Sequence, residues 1–281
     1  MDADVDERCE LRSRGASASG ARDGPHDGRD GEIMPQVDAS CGHDDSTMWE
    51  RVAETTRWGA YVSDVEKRAI LEAHGLVEMP STALEIGAEG GRWSKMLADL
   101  GWTMICTDIN DKMVARCQER IPAAECILVR PDDNELPCAS EVLDLLLCIE
   151  VPPVITADWF PSEASRVLKP DGLLVGVFWN FLSLRGLFVH ARDRSRGEID
   201  YYKLSYPFWR RKLSDRGYSI LYEEGYCWFP FGRASNSAFV PYFVAMERWL
   251  RLRKLPVVSP WIMFIAQKSS SGHSPNPGRF S

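Results

Sequence analysis

From residue 81 onward, short apolar runs alternate with segments of helical periodicity, and this alternation constrains the fold more than any other feature. It predicts strands at 83–86, 103–107, 126–129, 142–149 and 173–179, with helices in most of the intervals. The run at 142–149 is almost continuously apolar, which is typical of a strand buried on both faces. Strands that alternate with helices predict an α/β domain built on a mostly parallel sheet.

Beyond residue 180 the pattern changes. Residues 181–206 are mixed and basic, show no clear period, and are expected to cover a site. They are followed by a predicted helix at 207–216, a strand at 219–228, a helix at 241–253 and a last strand at 261–267, which brings the total to seven strands.

Two helices are predicted before the first strand. Thr47 and Ser63 each stand three residues before a Glu, at Glu50 and Glu66, which is the pattern of a capping box at a helix N-terminus. The second helix is expected to end at Gly75 in a left-handed cap.

The two ends of the chain have a different composition. Residues 1–45 are rich in Asp, Gly, Arg and Ser and are predicted to be a disordered acidic tail, and 269–281 are interpreted as a second disordered tail. The net charge is -8, of which twelve acids and five Arg in residues 1–47 supply -7. The remainder is nearly neutral, which argues against a nucleic-acid partner.

Cysteine usage and hydropathy bear on the compartment. The chain has eight Cys, none in a CxxC pair, and we interpret them as small buried residues in a reducing environment in preference to disulfides or a metal site. We see neither an apolar secretory signal nor a run of about 20 apolar residues that could span a bilayer. The sequence therefore predicts a cytoplasmic protein with no metal and no stable membrane insertion.

The turn after the first strand carries the strongest functional signal. Gly87, Gly90 and Gly91 follow Glu85 and open a helix, an arrangement that brings backbone close to a nucleotide-like ligand. The glycine spacing does not fit the GxGxxG pattern of dinucleotide-binding dehydrogenases. Asp108 ends the second strand, 23 residues after Glu85. An acid there could accept hydrogen bonds from both hydroxyls of an adenosine ribose, whether the ligand is a dinucleotide or another adenosine-containing cofactor.

Three later segments distinguish between a dinucleotide and another adenosine-containing cofactor. They are VRPDDNELP at 129–137, LDLLLCIEV at 143–151 and EASRVLKPDG at 163–172. Together with the glycine turn, they resemble the motifs of class I S-adenosylmethionine (SAM)-dependent methyltransferases, in particular the small-molecule and quinone methyltransferases. The resemblance covers residues 80–180 in detail.

This resemblance implies a Rossmann-like fold of seven strands, mostly parallel and with an antiparallel last strand, with helices on both faces of the sheet. It divides the domain at 46–268 into a helical lead (46–79), a cofactor-binding half (80–180) and an acceptor-side half (181–268). It also implies SAM as cofactor. The residues that would bind it are Glu85, Gly87, Ala88, Gly91, Asp108, Ile109, Asp132, Cys148 and Ile149. One departure is Glu89, where the family often has Gly.

The methyl acceptor is predicted only as a small organic molecule, methylated on O, C or N. Acceptor-side candidates are residues that follow strands four and five or lie in the late insertion: Glu150, Trp179, Asn180, His190, Arg233 and Asn236. Two alternatives stay open, a non-catalytic SAM-fold binding or regulatory protein and, less favoured, an NAD-dependent oxidoreductase. The sequence makes no prediction of the oligomeric state.

Overall fold

The computed structural model describes residues 47–196 and 201–270, so the predicted tail at 1–45 and nearly all of that at 269–281 lie outside the described residues. The strands are β1 (Thr82–Ile86), β2 (Thr103–Asp108), β3 (Glu125–Leu128), β4 (Leu143–Cys148), β5 (Leu168–Trp179), β6 (Tyr218–Tyr226) and β7 (Trp261–Lys268). The helices are α1 (Met48–Thr55), α2 (Arg57–Leu76), α3 (Arg92–Asp99), α4 (Asp111–Arg120), α5 (Pro152–Ile155), α6 (Phe160–Val167), α7 (Leu184–Arg196), α8 (Tyr206–Ser214) and α9 (Val240–Trp249).

The seven strands form one sheet in the order β3-β2-β1-β4-β5-β7-β6. The first five are parallel to one another, and β7 runs antiparallel to both β5 and β6. The predicted Rossmann-like sheet with an antiparallel last strand is therefore confirmed. Because the strand order reverses between β1 and β4, their carboxyl ends form the crevice in which ligands of open α/β sheets bind.

Apolar side chains alternate between the two faces of the sheet. On one face, Leu145 and Val175 pack against α2 and α3 through Ile70 and Leu97, all of them fully buried. On the other face, strand residues pack against α6 and α8 through large side chains such as Trp209. Burial of this apolar surface on both faces is the main stabilising contribution to the fold.

The helical lead contains the two predicted helices, but both predicted boundaries of the second helix were wrong. Thr47 caps α1 in the predicted box with Glu50. The second helix begins at Arg57, capped by Thr56, so the Ser63 box lies inside it. Glu66 consequently becomes available for tertiary contacts. Gly75 does not adopt the left-handed conformation, and α2 ends one residue later.

Three further differences lie on the carboxyl side of the domain. Strand β5 begins at Leu168, five residues before the predicted start at 173. Residues 169–172 form a bulge within it, so that the partner of Leu143 is Leu168 and that of Leu145 is Leu173, and Asp171 has a φ of 63°. The aperiodic segment 181–206 contains α7, and the short α5 was not predicted. Within 47–196 and 201–270, no helix is long and apolar enough to cross a membrane.

Candidate active site

The turn between β1 and α3 is shaped by glycine at positions where other residues would clash. Gly87 has a φ of 66°, and a Cβ there would lie 2.8 Å from Val151 Cγ2. Gly91 has a φ of 76°, and its Cβ would lie 2.8 Å from Cys117 Sγ. Left-handed backbone in close contact with neighbouring side chains requires glycine at both positions.

Glu89 sits in the same turn with a φ of 53°, a left-handed conformation that explains why a glycine suits this position. Its carboxylate accepts a hydrogen bond from the backbone N–H of Trp49 at 3.4 Å, and burial raises the pKa of the carboxyl group. The side chain therefore contacts α1, at the wall of the cavity described below.

Glu85 is the last acidic residue of β1 and is 3% exposed. Its Oε2 accepts hydrogen bonds from the Ser94 N–H at 2.9 Å and from the Ser94 hydroxyl, which attaches it to the start of α3. Burial raises the pKa of Glu85 to about 8, although the Ser94 hydrogen bonds oppose that shift. A buried carboxyl group at a cavity wall can bind a cationic ligand group at the cost of releasing its proton.

Asp108 ends β2 and faces the same turn. Its Oδ2 accepts a hydrogen bond from the Glu89 N–H at 2.8 Å, and its Oδ1 accepts one from the Asn110 N–H at 2.9 Å. The carboxylate is half-buried, so each oxygen retains a lone pair that a bound ligand could use.

These residues surround a cavity of about 450 Å³ at the carboxyl ends of β1, β2 and β4. Of the predicted cofactor residues, its walls include Glu85, Gly87, Ala88, Asp108, Ile109 and Ile149. Gly91, Asp132 and Cys148 are not among the wall residues. Asp132 is exposed next to Asp133, which does line the cavity and accepts a hydrogen bond from the Arg130 N–H at 2.8 Å.

Glu150 lines the far end of this cavity, directly after β4, with a φ of 54°. Its Oε1 lies 2.7 Å from Arg233 Nη2. The Arg233 guanidinium lies 4.2 Å from the ring centroid of Trp49, 5.4 Å from that of Trp179 and 5.1 Å from that of Trp261. Three aromatic faces and a carboxylate thus hold this cation in place.

A second, smaller cavity of about 30 Å³ shares Trp49, Arg92 and Glu150 with the first and is also lined by Glu66 and Arg233. Glu66 is 1% exposed, and its Oε2 lies 3.1 Å from Arg92 Nη2. Burial, together with the nearby charge of Glu150, raises the pKa of Glu66 well above its usual range.

The remaining acceptor-side candidates do not line either cavity. Asn180 is fully buried, its amide nitrogen donates to the carbonyls of Val257 and Ser259, and its Oδ1 accepts from two backbone N–H groups. His190 on α7 packs edge-on against Phe181. The exposed Asn236 accepts a hydrogen bond from Arg57 through its carbonyl oxygen at 2.6 Å.

Trp49, Glu66 and Arg92 line the cavities but were not predicted from the sequence as site residues. Glu66 was interpreted as part of a capping box, and the aromatic residue of α1 carried no motif. The signal that could have identified Glu66 is its position on the apolar side of a long helix, where an unpaired carboxyl group is costly and needs a partner.

The glycine turn, Glu85, Asp108 and the cavity at the strand ends lie where the resemblance to class I SAM-dependent methyltransferases predicts a cofactor site. Residues 84–176 match the family model described as "Methyltransferase domain". A methyltransferase-like protein of Schizosaccharomyces pombe is 26% identical over 166 residues, 56% of this chain and 60% of that protein. The chain thus spans about 60% of the length of this curated relative.

Two solved structures share the fold at low sequence identity. A SAM-dependent methyltransferase from Mesorhizobium loti has a TM-score of 0.51 and 14% identity, covering 72% of this chain and 97% of that chain. A geranyl diphosphate methyltransferase in complex with GPP and sinefungin has a TM-score of 0.54 and 12% identity, covering 75% and 80%. Residues 84–176 thus match a methyltransferase domain, and the fold is the one seen in SAM-dependent methyltransferases.

Proposed function

We propose that this chain transfers the methyl group of SAM to a small organic acceptor by in-line displacement. The observation that carries the proposal is the pairing of two cavities with shared walls at the carboxyl edge of the sheet. The larger has the glycine turn and acids expected at a cofactor site. The smaller, too small to hold an organic molecule itself, brings the charged side chains of Glu66 and Arg233 next to the wall that the two cavities share.

The residues of the larger cavity fit the cofactor. Glu85 and the backbone around Gly87 and Ala88 would hold the methionine end, Asp108 the ribose hydroxyls, and Ile109 and Ile149 the adenine side. SAM, when bound, supplies an electrophilic methyl group attached to a positively charged sulfur atom. Transfer of that methyl group leaves a neutral thioether, which makes it a good leaving group. The chain would then need to hold the acceptor atom close to that methyl group and in line with the sulfur, because such positioning strongly accelerates the transfer.

Unpartnered polar atoms support an acceptor site next to the cofactor. Glu66 Oε1, the Trp179 Nε1–H and the Tyr226 hydroxyl are buried and have no hydrogen-bond partner among residues 47–196 and 201–270. Trp179 stacks on Trp261 at 5.0 Å, and Tyr226 packs edge-on against Trp261 at 5.7 Å. Neither Trp179 nor Tyr226 lines either cavity, but both adjoin Trp261, whose ring lies 5.1 Å from the Arg233 guanidinium of the smaller cavity. Buried polar groups of native proteins are normally paired, and a polar acceptor molecule would supply the partners.

Glu150 is the proposed proton acceptor when the methylated atom carries an acidic proton. It lines both cavities, and the ion pair with Arg233 orients its carboxylate. An acceptor without such a proton needs no base, so the proposal covers O-, C- and N-methylation. The nearly neutral charge of the chain beyond residue 47, about -1, favours a small molecule over a nucleic acid.

We also propose a cytoplasmic location. The six cysteines in the described part of the chain are free thiols, which suits a reducing compartment.

The test has two stages. Calorimetry with SAM should give one site per chain, whereas absence of SAM binding would contradict the enzyme proposal. Incubation of the full chain with methyl-labelled SAM and metabolite extracts, followed by mass spectrometry, should then give a labelled product. If the methylated atom must lose a proton, Glu150→Gln should reduce the yield of that product. SAM binding without any product would favour the non-catalytic alternative, and NADH binding in place of SAM would favour the oxidoreductase.

A further inference from the structure

Three cysteines from three consecutive elements meet behind the glycine turn. Cys106 lies on β2, Cys117 on α4 and Cys126 on β3, and their Sγ atoms all lie within 4.8 Å of one another. Cys106 and Cys117 are buried, and Cys126 is partly exposed. This thiol cluster uses none of the residues proposed for methyl transfer.

The spacing of the three sulfur atoms is close to that of a metal thiolate centre. Zn–S bonds of about 2.3 Å in tetrahedral geometry place sulfur atoms about 3.8 Å apart. The three thiols would therefore need to approach one another by about 1 Å or less. Cys126 is partly exposed, so rotation of its side chain could bring the three sulfur atoms to this spacing. The same exposure offers a path by which a metal ion and a solvent ligand could reach the cluster.

The surroundings of the cluster supply further support. The Cys106 thiol donates a hydrogen bond to the Ser94 hydroxyl oxygen at 3.1 Å, and this contact fixes the orientation of the Cys106 side chain. Cys117 Sγ lies directly against the position that a side chain at Gly91 would occupy. The cluster thus joins β2, α4 and β3 immediately behind the turn that opens α3.

We propose that Cys106, Cys117 and Cys126 form a three-thiolate site for Zn²⁺, with a solvent molecule as the fourth ligand. On binding, each of the three thiols loses its proton to solvent and forms a Zn–S bond, with no change of oxidation state. The sequence analysis did not predict this site because its ligands lie on separate elements, at spacings of eleven and nine residues, and not in a CxxC pair.

The test uses the full chain, purified under reducing conditions and stripped of metal. Titration with Zn²⁺ against a chromogenic chelator, with native mass spectrometry, should give one zinc per chain and a rise in melting temperature, since a ligand that binds only the folded state stabilises it. Cys126→Ser should weaken zinc binding by roughly 100-fold, because it removes one of three thiolate ligands. The matched control is Cys138→Ser, a partly exposed thiol outside the cluster, which should bind zinc as the wild type does.

Cobalt substitution of the wild type gives a result that does not depend on the folding of any variant. Co²⁺ bound at the cluster should show the intense charge-transfer absorption of cobalt thiolates. Absence of stoichiometric zinc, absence of this absorption, or an equal loss of affinity in Cys126→Ser and Cys138→Ser would each overturn the proposal.

Discussion

Arg233 Nη2 lies 2.7 Å from Glu150 Oε1, and this ion pair connects the insertion between β6 and β7 to the end of β4. Their side chains are 28% and 18% exposed, so neither charge is well solvated. We expect Arg233→Met to lower the free energy of unfolding by about 1–3 kcal/mol, less than for a fully buried pair, because Glu150 loses its countercharge. Denaturant unfolding measures this effect.

A double-mutant cycle separates the pair from the rest of the cluster. The double variant Glu150→Gln with Arg233→Met should lose less stability than the sum of the single variants, because no uncompensated charge remains. Lys95→Met, which removes the exposed pair with Asp99, is the control and should cost under about 0.5 kcal/mol. Additive single effects in the cycle would contradict the coupling.

Asp108 is the residue whose loss should affect cofactor binding most directly. Asp108→Ala removes the carboxylate proposed to hold two ribose hydroxyls, so we expect SAM affinity to fall by roughly 10- to 100-fold, or about 1.5–3 kcal/mol. The melting temperature should change little, because the lost hydrogen bonds to Glu89 and Asn110 lie at the half-exposed surface of the turn. Calorimetry measures the affinity.

The matched control for Asp108 is Asp111→Ala, an exposed acid three residues further along the chain and outside the cavity wall. It should bind SAM as the wild type does. Wild-type affinity in Asp108→Ala would refute the proposed ribose site.

Glu85 gives a prediction about pH. The pKa of Glu85 is about 8 in the folded chain, against 4.5 for an unperturbed glutamate side chain in water. Between these two pH values the folded state therefore keeps a proton that the unfolded state has released. Stability therefore falls as pH rises through this window. Glu85→Gln removes the titration, so its stability relative to the wild type should increase from pH about 5 to about 8 and then level off.

The measurement is denaturant unfolding of both proteins across that pH range. The exposed Glu119→Gln serves as the control and should give a pH-independent difference. A constant difference between Glu85→Gln and the wild type would mean that Glu85 is ionised in the folded chain.

The sequence predicted the sheet well because its determinants are local. The apolar run of β4, the glycine turn and the helix-to-β5 segment each carry their signal in adjacent residues, and the structure has all three at the predicted places along the chain. The start of α2 was predicted wrongly because the sequence offers two possible N-caps, Thr56 and Ser63. Thr56 caps the helix, and packing of Trp58 and Val65 against the sheet extends α2 through Ser63.

The acceptor side could be predicted only in part, because its contacts join residues distant in sequence. Glu150 and Arg233 were both named as candidates, but their pairing across 83 positions has no local signature. Asn180 was named from its position after β5, yet four hydrogen bonds to backbone groups occupy its amide. Chain position indicates which edge of the sheet a residue reaches, but not which way its side chain turns.

Tyr226 permits the sharpest separation of function from stability. Tyr226 packs against Trp261 at the proposed acceptor site, and its hydroxyl is buried and has no hydrogen-bond partner in the part of the chain that the structure describes. Removing a buried, unpaired hydroxyl relieves a desolvation cost, so Tyr226→Phe should leave the free energy of unfolding unchanged or raise it by up to about 1 kcal/mol. If the hydroxyl contacts the acceptor, the same variant should lower product formation in the labelled-SAM assay without changing SAM affinity.

Two other tyrosines provide matched controls for this variant. Tyr218→Phe also removes a buried, unpartnered hydroxyl, but on the opposite face of the sheet, so both its stability and its methyl transfer should stay at the wild-type level or above. Tyr206→Phe removes a hydroxyl that donates to Glu223 at 2.9 Å and should lose about 1–2 kcal/mol of stability while keeping activity. Of these three tyrosines, Tyr226 alone combines an unpaired hydroxyl with the proposed acceptor site, so full activity in Tyr226→Phe would place the acceptor elsewhere.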